Sequence, residues 1–272
     1  MKHFNVSGKI AQKKHYVMSD VHGCGGLFDS VMKFLEEQEG GYQLIFLGDA
    51  IDRGTHGYRI MKSLLNNPNV IYLKGNHEDM FLRAVHEFKD YCAEEGLTPR
   101  QLYDSFGRDT RAMLEHVGDE CRLYAYNGGT LTFESWINDR CSNIVYKIKD
   151  LPLTHSYDKF DFCHAGCTVY NFEKNDESCI LWDRTHFPAP WAKDRVLIHG
   201  HTPVQHLFRA TRHHEAIDEE APKYLQPVRY SGNKIDMDTA TYFTGVLSVY
   251  CLEDDNFTVI SSSDTLPLFE KY

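Results

Sequence analysis

With 272 residues, 29 basic side chains against 39 acidic ones and a net charge of −10, the chain has an ordinary globular composition and enough length to bury a sizeable core. That charge argues against a broad polyanion-binding surface such as a nucleic-acid clamp, though not against a small cationic pocket. No apolar run approaches the ~20 residues a membrane helix needs, and the polar, basic stretch Met1–Lys14 lacks the apolar core of a secretory signal.

Eight cysteines (24, 92, 121, 141, 163, 167, 179 and 251) are scattered without CxxC pairs. Free thiols in a cytoplasmic protein are the expectation, not a disulfide framework. Cys163 and Cys167 flank His164, but Cys163 lies in an apolar strand pattern where a thiol behaves as a small hydrophobe, not a metal ligand.

In chain order, His15–Met18 reads as a first strand. Leu27, Val31, Phe34 and Leu35 then fall on one helical face, in a helix ending near Gly40-Gly41. A second strand, Gln43–Leu47, is followed by a helix marked by Tyr58, Met61, Leu64 and Leu65, which stops around Asn66-Asn67-Pro68. A third strand, Asn69–Leu73, precedes a helix with Met80, Phe81, Ala84, Val85 and Phe88 on one side. This alternation predicts a parallel α/β core. The region from about 91 to 157 is helical, carries Asn127-Gly128-Gly129-Thr130, and has no linker on either side. It reads as a helical insertion over the sheet edge within one domain spanning 1–272. Lys159–Cys163 and Arg195–Ile198 read as further strands, Arg209–Arg229 as a mobile surface loop, and three late strands (Lys234–Asp238, Gly245–Leu252, Asn256–Ser262) as completing the sheet.

Chemistry-bearing residues recur just after these strands: Asp20 and His22, then Asp49, Asp52 and Arg53, then Asn76 and His77, then His164, then His201. In an open parallel sheet the carboxyl ends of the strands are where ligands bind, so these residues are predicted to converge. Carboxylates, imidazoles and an amide without thiolate suit Mn²⁺, Fe or Zn²⁺. So many ligands would crowd one ion, whereas two ions about 3.5–4 Å apart use them naturally, with Asp49 as the bridge.

The motifs Asp20-x-His22-Gly23, Gly48-Asp49-x-x-Asp52-Arg53-Gly54, Gly75-Asn76-His77-Glu78, His164-Ala165-Gly166 and Gly200-His201-Thr202-Pro203 together resemble the calcineurin-like metallophosphoesterases. Within that group they look most like the bacterial and phage serine/threonine phosphoprotein phosphatases. The resemblance implies a β-sandwich with flanking helices and two divalent ions, Mn²⁺ foremost. It implies that Asp20 and His22 bind the first ion, that Asp49 bridges, and that Asn76, His164 and His201 bind the second. A metal-bridging hydroxide is then the nucleophile, His77 the general acid held by Asp52, and Arg53 and Arg184 the phosphate clamp beside Asn76 and His77. The substrate would be a phosphorylated protein or small phosphoester. Ser19 departs from the family's usual glycine, and Pro203 stands where the wider superfamily often has a metal histidine. His199 shares a strand face with His201 by simple alternation, yet the motif uses only the latter. Asp236-Met237-Asp238-Thr239 resembles the late strand lining the pocket in relatives, and Tyr242 follows it as a packed aromatic.

Two other functions compete. A dinucleoside polyphosphate hydrolase would carry similar metal motifs. A non-enzymatic metal-site scaffold would be expected to have lost an acid or an arginine, and Asp52, Arg53 and His77 are all present.

Overall fold

Ten strands and eleven α-helices, counted over the described residues 12–167, 171–192, 194–211 and 225–262 of the computed structural model, build two five-stranded sheets. The first sheet contains β1 (Lys14–Met18), β2 (Tyr42–Phe46), β3 (Val70–Tyr72), β9 (Val246–Cys251) and β10 (Asn256–Ser261), ordered β10-β9-β1-β2-β3. β1, β2 and β3 pair in parallel, with Tyr16 opposite Leu44 and Leu44 opposite Val70, while β9 and β10 close the edge antiparallel. The second contains β4 (Thr154–Tyr157), β5 (Phe160–Cys163), β6 (Val196–His199), β7 (Val228–Tyr230) and β8 (Lys234–Asp236), ordered β4-β5-β6-β8-β7. Its three inner strands are parallel and its two outer ones antiparallel.

Strand alternation divides the core into layers. Val17, Ile45 and Leu47 pack with Phe160, Phe162, Ile198, Ile235 and Tyr250 in one buried cluster between the sheets. Their neighbours Tyr16, Met18, Leu44 and Phe46 face the other way, onto α1 (Gly25–Glu36), α2 (Gly57–Asn66) and α3 (Asn76–Glu94). A smaller cluster of Cys163, Cys167, Ile180, Trp191 and Leu197 covers the outer face of the second sheet. Cys163 is therefore packed as a hydrophobe, and all eight cysteines are free thiols.

The insertion folds as α4 (Pro99–Ser105), α5 (Thr110–Val117), α6 (Asp119–Tyr126), α7 (Thr130–Asn138) and α8 (Ile144–Lys149). Its Tyr103, Tyr124, Phe133 and Trp136 are fully buried and share one cluster with Phe81 and Phe88 of α3. Phe81 and Trp136 meet edge-on at 6.1 Å and Phe88 and Phe133 at 5.1 Å, the T-shaped geometry ring quadrupoles favour.

The stretch 209–229 is more ordered at its ends than the sequence suggests. α10 (Val204–Thr211) extends into it and β7 begins at its far end, while 212–224 lie outside the described residues. β7 is a short edge strand whose side chains are at most half-buried, so no apolar alternation marks it.

Candidate metal centre

Sharp turns at the carboxyl ends of the strands bring the predicted residues together. Asp20, His22, Asp49, Asp52, Arg53 and His201 all adopt positive φ, between 43° and 71°. Such backbone costs about 1–3 kcal/mol per residue and persists where the surroundings enforce it. Glycines permit the crossings: a Cβ on Gly48, itself at φ 101°, would lie 2.5 Å from Gly75 Cα, so the turns after β2 and β3 touch backbone to backbone.

Glu78, which the motif contains but the sequence leaves without a role, ties these two turns. Fully buried at the third position of α3, it accepts hydrogen bonds from the N–H groups of Asp49 (2.8 Å), Ala50 (2.9 Å) and Gly75 (2.9 Å) and from the Tyr72 hydroxyl (2.7 Å). The Ser19 substitution is accommodated similarly: its hydroxyl donates to Asp20 Oδ2, which also accepts the His201 N–H at 3.0 Å. A Cβ on Gly200 would strike Ser19 Oγ at 2.1 Å.

The centre is lined by acceptors. His22 Nδ1 donates to the Ile51 carbonyl (3.1 Å), which leaves Nε2 as a lone pair 3.6 Å from Asp49 Oδ2 and 3.9 Å from Asp20 Oδ1. His164 Nδ1 donates to the Leu47 carbonyl (2.8 Å), so its Nε2 lone pair faces Asn76 Oδ1 at 2.8 Å and Asp49 Oδ1 at 3.5 Å. His201 Nδ1 lies 3.0 Å from Asn76 Oδ1, and its Nε2 is buried without a hydrogen-bond partner. Backbone carbonyls orienting the far ring nitrogen are what metal-binding histidines require. Nitrogen and oxygen lone pairs meeting without protons between them call for a cation, so this donor set fits divalent ions. Two groupings result, His22–Asp49–His77 and Asp49–His164–His201, with Asp49 common to both and one of its oxygens turned toward each. Burial pushes the Asp20 and Asp49 carboxyls up and the His22, His164 and His201 imidazoles down, because a charge is poorly solvated there. The imidazoles thus stay neutral, the form that binds metals.

His77 differs from the other rings. Its Nδ1 is 2.7 Å from Asp52 Oδ2, and its Nε2 faces Arg53 Nη2 at 3.3 Å. Burial disfavours its cation, but Asp49 and the hydrogen-bonded Asp52 outweigh that and hold its pKa above the ordinary value. The insertion braces this pair. Tyr124 donates to Asp52 Oδ1 (2.5 Å), Thr132 Oγ1 accepts the Asp52 N–H (3.1 Å), and the Gly128 carbonyl accepts the Arg53 N–H (3.0 Å). Sequence marks the Asn127–Thr130 turn but nothing about Tyr124, which reads as one more core aromatic. Arg184, half-buried, donates to Thr202 Oγ1 at 3.3 Å, beside His201.

Residues 14–237 match the calcineurin-like phosphoesterase family. The chain belongs to that family. It is accordingly a hydrolase, with the fold the strand-end motifs pointed to. This calcineurin-like phosphoesterase is 22% identical to the asymmetrical bis(5'-nucleosyl)-tetraphosphatase PrpE of Halalkalibacterium halodurans, over 92% of this chain and 94% of that one. It is 23% identical to the protein of the same name from Oceanobacillus iheyensis, over 90% and 91%. A solved structure provisionally described as a diadenosine tetraphosphatase superposes with a TM-score of 0.52 at 14% identity, covering 94% of this chain and 95% of that one, a likeness of fold.

His199 requires a correction. Alternation puts 199 and 201 on one face, but β6 ends at His199 and the left-handed turn at His201 (φ 67°) breaks the alternation. His199 points to the outer face of the second sheet, with Nδ1 donating to the Gly200 carbonyl (3.0 Å) and Nε2 2.6 Å from the Tyr230 hydroxyl. Tyr242 is 38% exposed, not packed away, and leans on Phe243, whose ring sits 5.8 Å from the Arg53 guanidinium.

Proposed function

We propose that this hydrolase is a metal-dependent phosphomonoesterase acting on phosphoserine and phosphothreonine, with phosphotyrosine as a further substrate. Asp20, His22 and Asp49 would hold one ion and Asp49, Asn76, His164 and His201 the other, Mn²⁺ being the first candidate beside Fe or Zn²⁺. When bound, such a pair supplies a water of lowered pKa and neutralises phosphoryl oxygens.

The observation that carries the reading is the His77–Asp52 contact at 2.7 Å. An alkoxide leaving group must take up a proton as it departs, and a buried imidazole held by a carboxylate is suited to deliver one. Arg53 completes the logic. A guanidinium only donates, so its contact with His77 Nε2 in the substrate-free protein uses the ring's lone pair. A phosphate drawing Arg53 to its own oxygens frees Nε2 to carry the proton. Arg53 and Arg184 would then grip the phosphate with paired donors, with Asn76 and His77 beside it. We further read 1–272 as one domain in a reducing, cytoplasmic setting, supported by the shared core of insertion and α3 and by the free thiols.

A second reading, asymmetrical hydrolysis of dinucleoside tetraphosphates, draws support from the names of the two full-length relatives. The rings of Trp182 and Phe243, 37% and 45% exposed, also offer stacking faces near His201 and Arg53. Metal-stripped protein assayed on phosphopeptides, p-nitrophenyl phosphate and diadenosine tetraphosphate, with Mn²⁺ restored or withheld, tests both. Turnover of phosphopeptides only with metal supports the first; turnover of the dinucleotide alone replaces it with the second.

A further inference from the structure

Behind Arg184, on the outer face of the second sheet, lies a buried polar group that the proposed chemistry does not use. The loop after α9 (Glu177–Trp182) is folded around the Asp183 carboxylate, which accepts the N–H of Thr185 (3.1 Å), the N–H of His186 (3.0 Å) and His186 Nδ1 (2.8 Å). Arg184 is thereby fixed at the head of a tight turn. Two side chains of the β7–β8 edge hold that turn from below. Buried Lys234 donates from Nζ to the His186 carbonyl at 2.5 Å, and Tyr230 Oη lies 3.1 Å from His186 Nε2 and 2.6 Å from His199 Nε2. The His186 and His199 rings stand nearly perpendicular, 4.9 Å apart. His186 also packs on the bare backbone of Gly166, where a Cβ would meet it at 2.1 Å. His199 in turn binds the Gly200 carbonyl, next to His201.

Counting protons fixes the direction of this chain of contacts. Both its ends, the Asp183 carboxylate and the Gly200 carbonyl, are acceptors. Its four links therefore need four protons, while two neutral imidazoles and one hydroxyl supply three. Each ring spends its proton on Nδ1, toward its own end, so the Tyr230 hydroxyl has one proton and two waiting nitrogens. The shorter contact takes it: Tyr230 donates to His199. The hydroxyl thus joins the strand that delivers His201 to the loop that carries Arg184, through one atom touching both rings.

We infer that Tyr230 is a positioning residue that sets Arg184 relative to His201 for phosphate binding. This rests on the phosphate-binding role proposed above for Arg184. Nothing on Tyr230 reaches the centre itself, so its effect must travel through Arg184.

The test is a double-mutant cycle on Mn²⁺-loaded protein, reading the dissociation constant of inorganic phosphate by calorimetry alongside metal content. Tyr230→Phe removes the hydroxyl without changing the ring. It should weaken phosphate binding about two- to tenfold, the loss of one buried hydrogen bond, with metal content unchanged. In an Arg184→Ala background the same substitution should add nothing. An unchanged dissociation constant in Tyr230→Phe, or the same factor recurring without Arg184, overturns the inference. If Arg184→Ala alone leaves phosphate binding intact, the role of Arg184 fails instead, and the inference with it. Should Tyr230→Phe fold poorly, His186→Gln is expected to give the same Arg184-dependent loss, and a loss independent of Arg184 is equally fatal.

Discussion

Replacing His77 by Asn removes the imidazole that Asp52 holds at 2.7 Å and that Arg53 approaches at 3.3 Å. Two losses should follow, and they are separable. The first is independent of substrate, because Arg53 loses a neighbour and Asp52 keeps only the Tyr124 hydroxyl as a side-chain donor. The second scales with the basicity of the leaving group. A positioned general acid contributes about 100- to 10,000-fold where the departing oxygen needs its proton, about 3–5 kcal/mol of barrier. p-Nitrophenolate departs without help, whereas the serine alkoxide does not. The assay is kcat/KM for p-nitrophenyl phosphate and a phosphoserine peptide, wild type against His77→Asn, at saturating Mn²⁺. The ratio of the two losses should reach about 100 or more. Equal loss on both substrates would mean that His77 only orders Arg53, and the acid role would have to be abandoned.

Three further outcomes follow from groups around the centre. Glu78→Gln puts an amide NH₂ against a cage of four donors; it should cost about 3 kcal/mol in urea unfolding, the scale of bonds to a buried charge, and a loss under about 0.5 kcal/mol would contradict the bracing role. His186, held down to about 4 from 6.5 by burial and then by Lys234, is protonated in the unfolded chain across that window but not in the folded one. Stability should therefore rise with pH from 4 to 6.5 by about 3 kcal/mol from this group and be fully present above it; a His186→Gln variant with an unchanged slope would refute the assignment. Tyr124→Phe, which leaves Asp52 Oδ1 without its 2.5 Å donor, should lower phosphoserine turnover more than p-nitrophenyl phosphate turnover, and the reverse order would show that the hydroxyl does not act through Asp52 and His77.

What was legible in the sequence was whatever each strand carries to its own carboxyl end. Asp20, Asp49 and Asn76 follow successive parallel strands, so spacing alone predicted their convergence, and the positive-φ turns only sharpen it. What was not legible depends on contacts across layers. Val17 and Met18 are equally apolar, yet one faces the second sheet and the other the helices; a strand buried on both faces gives no sign of which partner lies on which side. β4 and β7, edge strands with exposed or half-buried side chains, lack the alternation that would announce them. His199 looked like a ligand because strand periodicity was carried one residue past the strand's end. Tyr124, an unmarked aromatic in the insertion, acquires its role only because α6 returns to the loop bearing Asp52.

Calorimetric titration of metal-stripped protein with Mn²⁺ tests the central claim most directly. Lone pairs from His22, His164 and His201 around a shared Asp49 predict two ions bound per chain, falling to one in His201→Ala and weakened at both positions in Asp49→Asn. A single ion in the wild type, or two retained after Asp49→Asn with undiminished affinity, would contradict the shared centre.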